Sequence, residues 1–283
     1  VTDRPVQATV TGLVNKRLDR ESQKGAVSWH VRELCKRQDL RVEAIVATAT
    51  PGNRLNDHCD ALLHAVEPAV PEAHIRLQPV TLPLSANDGP RDFESELFSA
   101  LGSPTGQNLT EALADAAPTR AAGRAMPLLW LEWLDQAGGP LIGKPEPAFL
   151  EAWLLFAADT LRAACPPHMR IVSFLSIELS NADQTNLRDE IQTLLEEDDR
   201  LFPSGFRTLL LDPLGPLDQQ HLIDFLEDPN ASNCPRPLVL KLARALHKKT
   251  KGSFKETAEL IEYGERFSPY ILLEKLKTEL ESK

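Results

Sequence analysis

The segment Val42–Thr50 (VEAIVATAT) constrains this chain more than any other: β-branched and continuously apolar at its centre, it reads as a strand covered on both faces. A strand of that kind belongs inside a sheet with helices packed on either side. Its neighbours agree. Pro51-Gly52 turns the chain and a helix near Asn56–Val66 follows, the strand, loop and helix order that opens a βαβ unit. Ahead of it, Ser22–Arg37 carries Ala26, Val27, His30, Val31 and Leu34 on one helical face, with Ser22 as the N-cap.

The same alternation continues downstream. Arg76–Leu84 is a strand candidate whose Pro79 and Pro83 suit an edge. Phe93–Leu101 reads as a short helix, and Ala112–Ala125 is Ala-rich and broken by Pro118. Met126–Leu134 (MPLLWLEWL) alternates Leu129, Leu131 and Trp133 and reads as a strand, with helix as the competing assignment. Glu146–Ala164 has the helical period through Phe149, Trp153, Phe156 and Leu161 and is stopped by Pro166-Pro167. Arg170–Leu179 is a buried strand, Asp183–Asp199 an acidic amphipathic helix, Phe206–Asp212 a strand and Leu217–Leu226 a helix. The pattern predicts an α/β fold, a parallel five-stranded sheet flanked by helices with right-handed crossovers. After Pro229 only helices remain, at Pro237–Lys249, Phe254–Phe267 and Pro269–Glu281. The expected organisation is an extension at 1–21, an α/β domain at 22–230 and a C-terminal helical segment at 231–283.

Composition excludes several function classes. At 283 residues and 42% hydrophobic, the chain can bury one large core or two smaller ones. Lys and Arg number 31 against 41 for Asp and Glu, a net charge of −10, which argues against a nucleic-acid partner held by bulk electrostatics. Cys35, Cys59, Cys165 and Cys234 form no C-x-x-C pair, so neither a zinc site nor a secreted disulfide framework is expected. No run of 18 apolar residues and no leader pattern is present, so a cytoplasmic chain without a membrane span is expected. It begins at Val1 rather than Met, which points to a piece of a longer protein or a processed chain.

The loop after the first strand has the length and place of a phosphate-binding G-x-x-x-x-G-K-[ST] loop, with its functional positions replaced. Written out it is Gly52-Asn53-Arg54-Leu55-Asn56-Asp57-His58-Cys59. Asp57 replaces the second glycine and adds negative charge where phosphate would sit; His58 replaces the lysine; Cys59 replaces the magnesium-binding hydroxyl. An ordinary βα loop is the alternative. A literal G-x-x-x-x-G-K match lies elsewhere, from Gly138 through Gly143 to Lys144 (GGPLIGK), but Pro145 stands where Ser or Thr should hold magnesium. That segment reads equally as a Gly/Pro connector ahead of a helix. Asp212, after Leu209-Leu210-Leu211, is the candidate magnesium acid, with a turn or helix cap as the alternative, and in the preceding strand the acid is Glu178, which follows Ser176 and Ile177 rather than sitting cleanly at the strand end.

Other chemistries have less support. G-x-S-x-G and H-E-x-x-H are absent. Asp57, His58, Cys59, Asp60 and His64 crowd one helix start, yet Cys59 and His64 are five apart and diverge by about 140° around a helix. No metal and no cofactor are expected. Trp130, Trp133, Trp153 and Phe156 read as core residues, and the acidic run Glu196–Asp199 as a solvated helix end that would suit a basic partner.

With the altered loop on its strand, residues 15–230 resemble the inactive STAND (iSTAND) domains of bacterial conflict and defence proteins. The resemblance rests on Asp19-Arg20-Glu21-Ser22-Gln23 ahead of Trp29 and on the strand and loop at 42–59. It rests also on the Trp- and Phe-bearing helix Leu150–Phe156, on Ser173-Phe174-Leu175-Ser176-Ile177, and on Leu211-Asp212-Pro213-Leu214. The chain departs from that pattern in its Pro-rich segment 79–125. The resemblance implies a P-loop NTPase-like sheet that is not an enzyme, a non-catalytic adaptor or scaffold that has lost nucleotide binding. Its implied partner is a defence effector such as a protease, or an effector-associated adaptor domain. The competing expectation is an active or nucleotide-sensing NTPase that regulates an effector, using Gly138–Lys144 or the Gly52 loop with Asp212.

Overall fold

The computed structural model describes residues 21–51, 58–82, 93–104, 107–117, 126–197, 203–214, 216–227 and 232–281. The chain divides into two compact units: Ser22–Pro51 with Leu62–Leu214, and Gly215–Lys283 with the short stretch Gly52–Ala61.

The first unit is the α/β unit. Helix α1 (Glu21–Lys36) leads into β1 (Val42–Ala49), every residue of which is buried, as its unbroken apolar run requires. Helix α2 (His58–Val66) and β2 (Ala73–Thr81) follow, then α3 (Phe93–Leu101) and α4 (Leu109–Ala116). A capping box opens α4: Asn108 accepts from the Glu111 N–H at 2.9 Å while Glu111 accepts from the Asn108 N–H. Next come β3 (Met126–Leu134), a two-residue β4 (Leu141–Ile142), α5 (Pro147–Leu155), a π-helical turn (Phe156–Leu161) and α6 (Arg162–Ala164). Strand β5 (Arg170–Glu178), α7 (Asn181–Glu197) and β6 (Phe206–Leu210) complete the unit.

The strands run parallel in the order β2-β3-β5-β1-β6, with β4 added beside the end of β5. Five of these strands are the expected five; β2 begins at Ala73 and lies at one edge, where Pro79 is tolerated. The sheet faces are read off strand alternation. Trp133 joins Phe93, Phe149 and Phe156 on one face, the Phe93 ring lying 5.5 Å from Trp133, 5.4 Å from Phe149 and 5.8 Å from Phe156. The Trp133 indole donates to Ser173 Oγ at 2.9 Å in the interior. Three residues earlier, Trp130 faces the other way and packs 5.6 Å from Phe174.

The helix expected at 146–164 is not regular throughout. Its π turn at Phe156–Leu161 lets Phe156, Ala157, Ala158 and Leu161 all bury, a set too broad for one stripe of a regular helix.

The second unit is helical: α8 (Gln219–Glu227), α9 (Arg236–Thr250), α10 (Phe254–Phe267) and α11 (Pro269–Glu281). Leu222, Phe225, Leu242, Leu246, Phe254, Ile261, Leu272 and Leu276 form its own apolar core. Between α9 and α10, Lys251 and Gly252 take left-handed conformations. Gly252 is obligatory there, because a Cβ would stand 2.5 Å from the Leu217 carbonyl oxygen. This helical unit takes in α8. Among the described residues no helix is long and apolar enough to cross a membrane.

Candidate functional site

In a parallel sheet, ligands bind beyond the C-terminal ends of the strands, where the strand order reverses. Here the reversal falls at β1: the chain leaves β1 for β2 at one edge, returns through β3 and β5, and passes on to β6. The geometry at that end is set by backbone pairing. Ala49 is in register with Glu178 of β5, and the Leu179 N–H donates to the Ala49 carbonyl at 2.8 Å. On the other side the chain after β6 continues along β1, the Leu211 N–H donating to Val46 at 3.0 Å and the Leu214 N–H to Thr48 at 2.8 Å. Glu178, the last residue of β5, and Asp212, two residues beyond β6, therefore flank the exit of β1, their backbones roughly 10 Å apart, two interstrand spacings.

Those two acids differ in their surroundings. Glu178 is half-buried, and its carboxylate has no partner among the described residues. The Asp212 side chain is exposed and pairs with Arg188 of α7 at 3.0 Å, an ion pair that solvent screens heavily. Gln23 of α1 donates its amide to the Asp212 carbonyl, and its buried Oε1 has no hydrogen-bond donor among the described residues.

Of the altered phosphate loop, Gly52 and Asp57 lie outside the described residues. His58 opens α2, and Cys59 after it is buried, 1% exposed. A buried thiol at the second helical position does not suit a magnesium ion, whereas the carboxylates of Glu178 and Asp212 do.

The Gly138–Lys144 segment extends the sheet. Asp135 folds it into a turn, its carboxylate accepting from the Ala137 N–H at 2.9 Å and the Gly139 N–H at 2.8 Å. Leu141 and Ile142 then pair with β5, and the Gly143 N–H donates to the Glu178 carbonyl at 2.9 Å. Gly138 and Gly143 have φ of 77° and 90°, conformations that favour glycine. Lys144 forms an ion pair with Glu190 of α7. Among the described residues no group of three His, Cys, Asp or Glu side chains is arranged to hold a metal ion.

Sequence reasoning did not single out a charged cluster at the start of the same sheet. Glu43 of β1 is fully buried and accepts from Arg207 of β6 through Nε at 3.0 Å and Nη2 at 2.5 Å, with His30 Nδ1 at 2.5 Å. An acid inside an apolar strand was the available signal, since a buried carboxylate needs partners.

No family model matches the chain, and no curated protein matches it. Solved structures do resemble it. ORC2 of Aeropyrum pernix, in its ADPNP and ADP complexes, has a TM-score of 0.50 at 15% identity, covering 92% of this chain and 68% of that one. The fold is P-loop NTPase-like. ORC1 of Aeropyrum pernix in complex with DNA has a TM-score of 0.49 at 14% identity, covering 97% of this chain and 70% of that one. Cdc6p of Pyrobaculum aerophilum has a TM-score of 0.45 at 12% identity, covering 97% of this chain and 67% of that one.

This P-loop NTPase-like likeness corrects one expectation. The replacements at Asp57, His58 and Cys59 led to the expectation that the chain is not an enzyme; the likeness to ORC2 of Aeropyrum pernix, solved in its ADPNP and ADP complexes, overturns it. The likeness says nothing of STAND or defence systems.

Proposed function

We propose that the chain is a nucleotide-sensing module of P-loop NTPase-like fold that regulates a partner protein. The observation that carries this reading is the end of β1, which leaves the sheet at the reversal of strand order with Glu178 at the end of β5 on one side and Asp212, two residues beyond β6, on the other. A carboxylate at such an exit suits a magnesium-bound polyphosphate, and Gln23 Oε1, without a donor among the described residues, adds an acceptor for a ligand donor. ORC2 of Aeropyrum pernix was solved with ADPNP and ADP, which supports an adenine nucleotide as the ligand class.

The test is calorimetry and thermal shift of the whole chain with ATP, ADP and GTP, with and without magnesium. Bound ligand at a hundredfold excess over Kd stabilises a fold by about 2.7 kcal/mol. We expect a saturable, magnesium-dependent shift that Glu178→Gln and Asp212→Asn weaken. A flat response to every nucleotide would overturn this reading.

A second reading is favoured by Asp57, His58 and Cys59. In it the module is a scaffold whose hold on a partner is independent of nucleotide. The iSTAND resemblance supports a bacterial defence effector, such as a protease or an effector-associated adaptor domain, as that partner. Partner capture that is equal with and without ATP would distinguish it from the first reading.

A further inference from the structure

The α/β unit has a second polar feature, at the end of the sheet away from the loop after β1. A cavity of about 360 Å³ opens among Gln38, Asp39, Arg41, Arg162, Ala163 and Ser204. These residues precede β1, β5 and β6, so the cavity lies at the N-terminal ends of the strands.

Two arginines give it its character. Arg41 Nη1 donates to the Cys165 carbonyl at 3.1 Å, while Arg162 donates through Nε to Ala158 at 2.6 Å and through Nη1 to Ser204 at 3.4 Å. All three acceptors are backbone carbonyls, which fix the guanidinium groups in place without neutralising them. Neither arginine pairs with a carboxylate among the described residues, and each keeps donors unspent from its set of five. Asp39 is the only acid among the described residues of the lining, and its carboxylate is already clasped by Arg37 at 3.1 and 2.5 Å.

The frame around the cavity is held by backbone contacts. The Gly205 carbonyl accepts from the Arg41 N–H at 2.8 Å and from the Val42 N–H at 3.1 Å, which ties the segment bearing Ser204 to the start of β1. Gly205 has φ 93°, and a Cβ there would stand 2.9 Å from the Asp39 carbonyl oxygen, so glycine is required for the approach. In a chain of net charge −10, two held guanidiniums that meet no carboxylate among the described residues are a local reversal of sign. The planar guanidinium fork matches phosphate oxygens. A volume above roughly 300 Å³ admits a small molecule as well as a bare ion.

We propose that this cavity binds the phosphate group of a small phosphorylated molecule, with Arg41 and Arg162 as its charge partners and Gln38 and Ser204 as polar contacts. The site is separate from the loop after β1 and stands whether or not that loop binds nucleotide.

Pyrophosphate is the probe. The wild-type chain is treated with phenylglyoxal, which modifies arginine, and the modified positions are mapped by peptide mass spectrometry. Pyrophosphate should protect Arg41 and Arg162 severalfold, and sodium chloride of equal ionic strength should not. A saturable rise in melting temperature with pyrophosphate should persist in His58→Ala and disappear in the Arg41→Gln/Arg162→Gln double variant. No protection at either arginine would overturn the proposal, as would a thermal shift that the folded double variant retains. The protection arm uses only wild-type protein, so the proposal stays falsifiable if the double variant does not fold.

Discussion

Glu43 is the residue whose neighbourhood matters most to the sheet, because its carboxylate is 0% exposed and depends on Arg207 and His30 for every compensating contact. Removing one member of a buried ion pair leaves the other charge uncompensated, at a cost of about 3–5 kcal/mol. Arg207→Ala should therefore lower the unfolding free energy by about that amount, read from urea denaturation at neutral pH. The acid itself was visible in VEAIVATAT, but its partner was not: Arg207 lies 164 positions away, and only the pairing of β1 with β6 brings it near. Cysteines make a second prediction. Burial pushes the Cys35 thiol up to about 12, helped by the charge of Glu72 and opposed by Arg170, and burial does the same to Cys165 against Arg170 and Arg41. Both thiols should resist iodoacetamide at pH 8 in the native chain and react once it unfolds. The sign of the linked pH effect follows: the unfolded thiols ionise near pH 8.5 and the folded ones near 12, so stability falls as pH rises between those values. Replacing both with alanine should remove part of that alkaline decline.

Among the elements, β4 is the least readable and bears most directly on the candidate site. Two residues have no period, so LIGK could be weighed only as a motif, and its role as a strand beside β5 depends on where Glu178 ends. Gly143 at φ 90° closes that strand. Gly143→Ala should cost about 1–2 kcal/mol through the left-handed conformation alone, measured by thermal denaturation. The start of α4, by contrast, was legible as Asn108-Leu109-Thr110-Glu111, a capping-box spacing that the Ala-rich appearance of the following stretch concealed. Asn108→Ala should cost about 1 kcal/mol, and a variant that melts with the wild type would show that the cap does not hold this helix. The π turn had no sequence signal, because the apolar period through Phe149, Trp153 and Phe156 continues into it without a break.

At the scale of the molecule, the alternation of strands and helices made the parallel α/β fold legible, since each long strand was bounded by Pro, Gly or charged residues. The division into units was less so: Leu222, Phe225 and Leu226 make α8 amphipathic, but an apolar stripe does not say which core it joins. The two units make a direct prediction. Leu175→Ala and Leu246→Ala each delete a side chain that is 0% exposed and should each cost about 2–5 kcal/mol. The resulting loss of hydrogen-exchange protection should concentrate in the α/β unit for the first and in the helical unit for the second. The strand order also has a consequence for biogenesis. β1 is the most completely buried strand, yet both its neighbours, β5 and β6, are made after it, the nearer beginning about 120 residues downstream at Arg170. At about 5–20 residues per second, a ribosome leaves VEAIVATA unpaired for roughly 6–24 s. During that interval it is an apolar segment without a sheet, so nascent chains released before Arg170 should be captured by holdase chaperones, and those released beyond Leu214 should not.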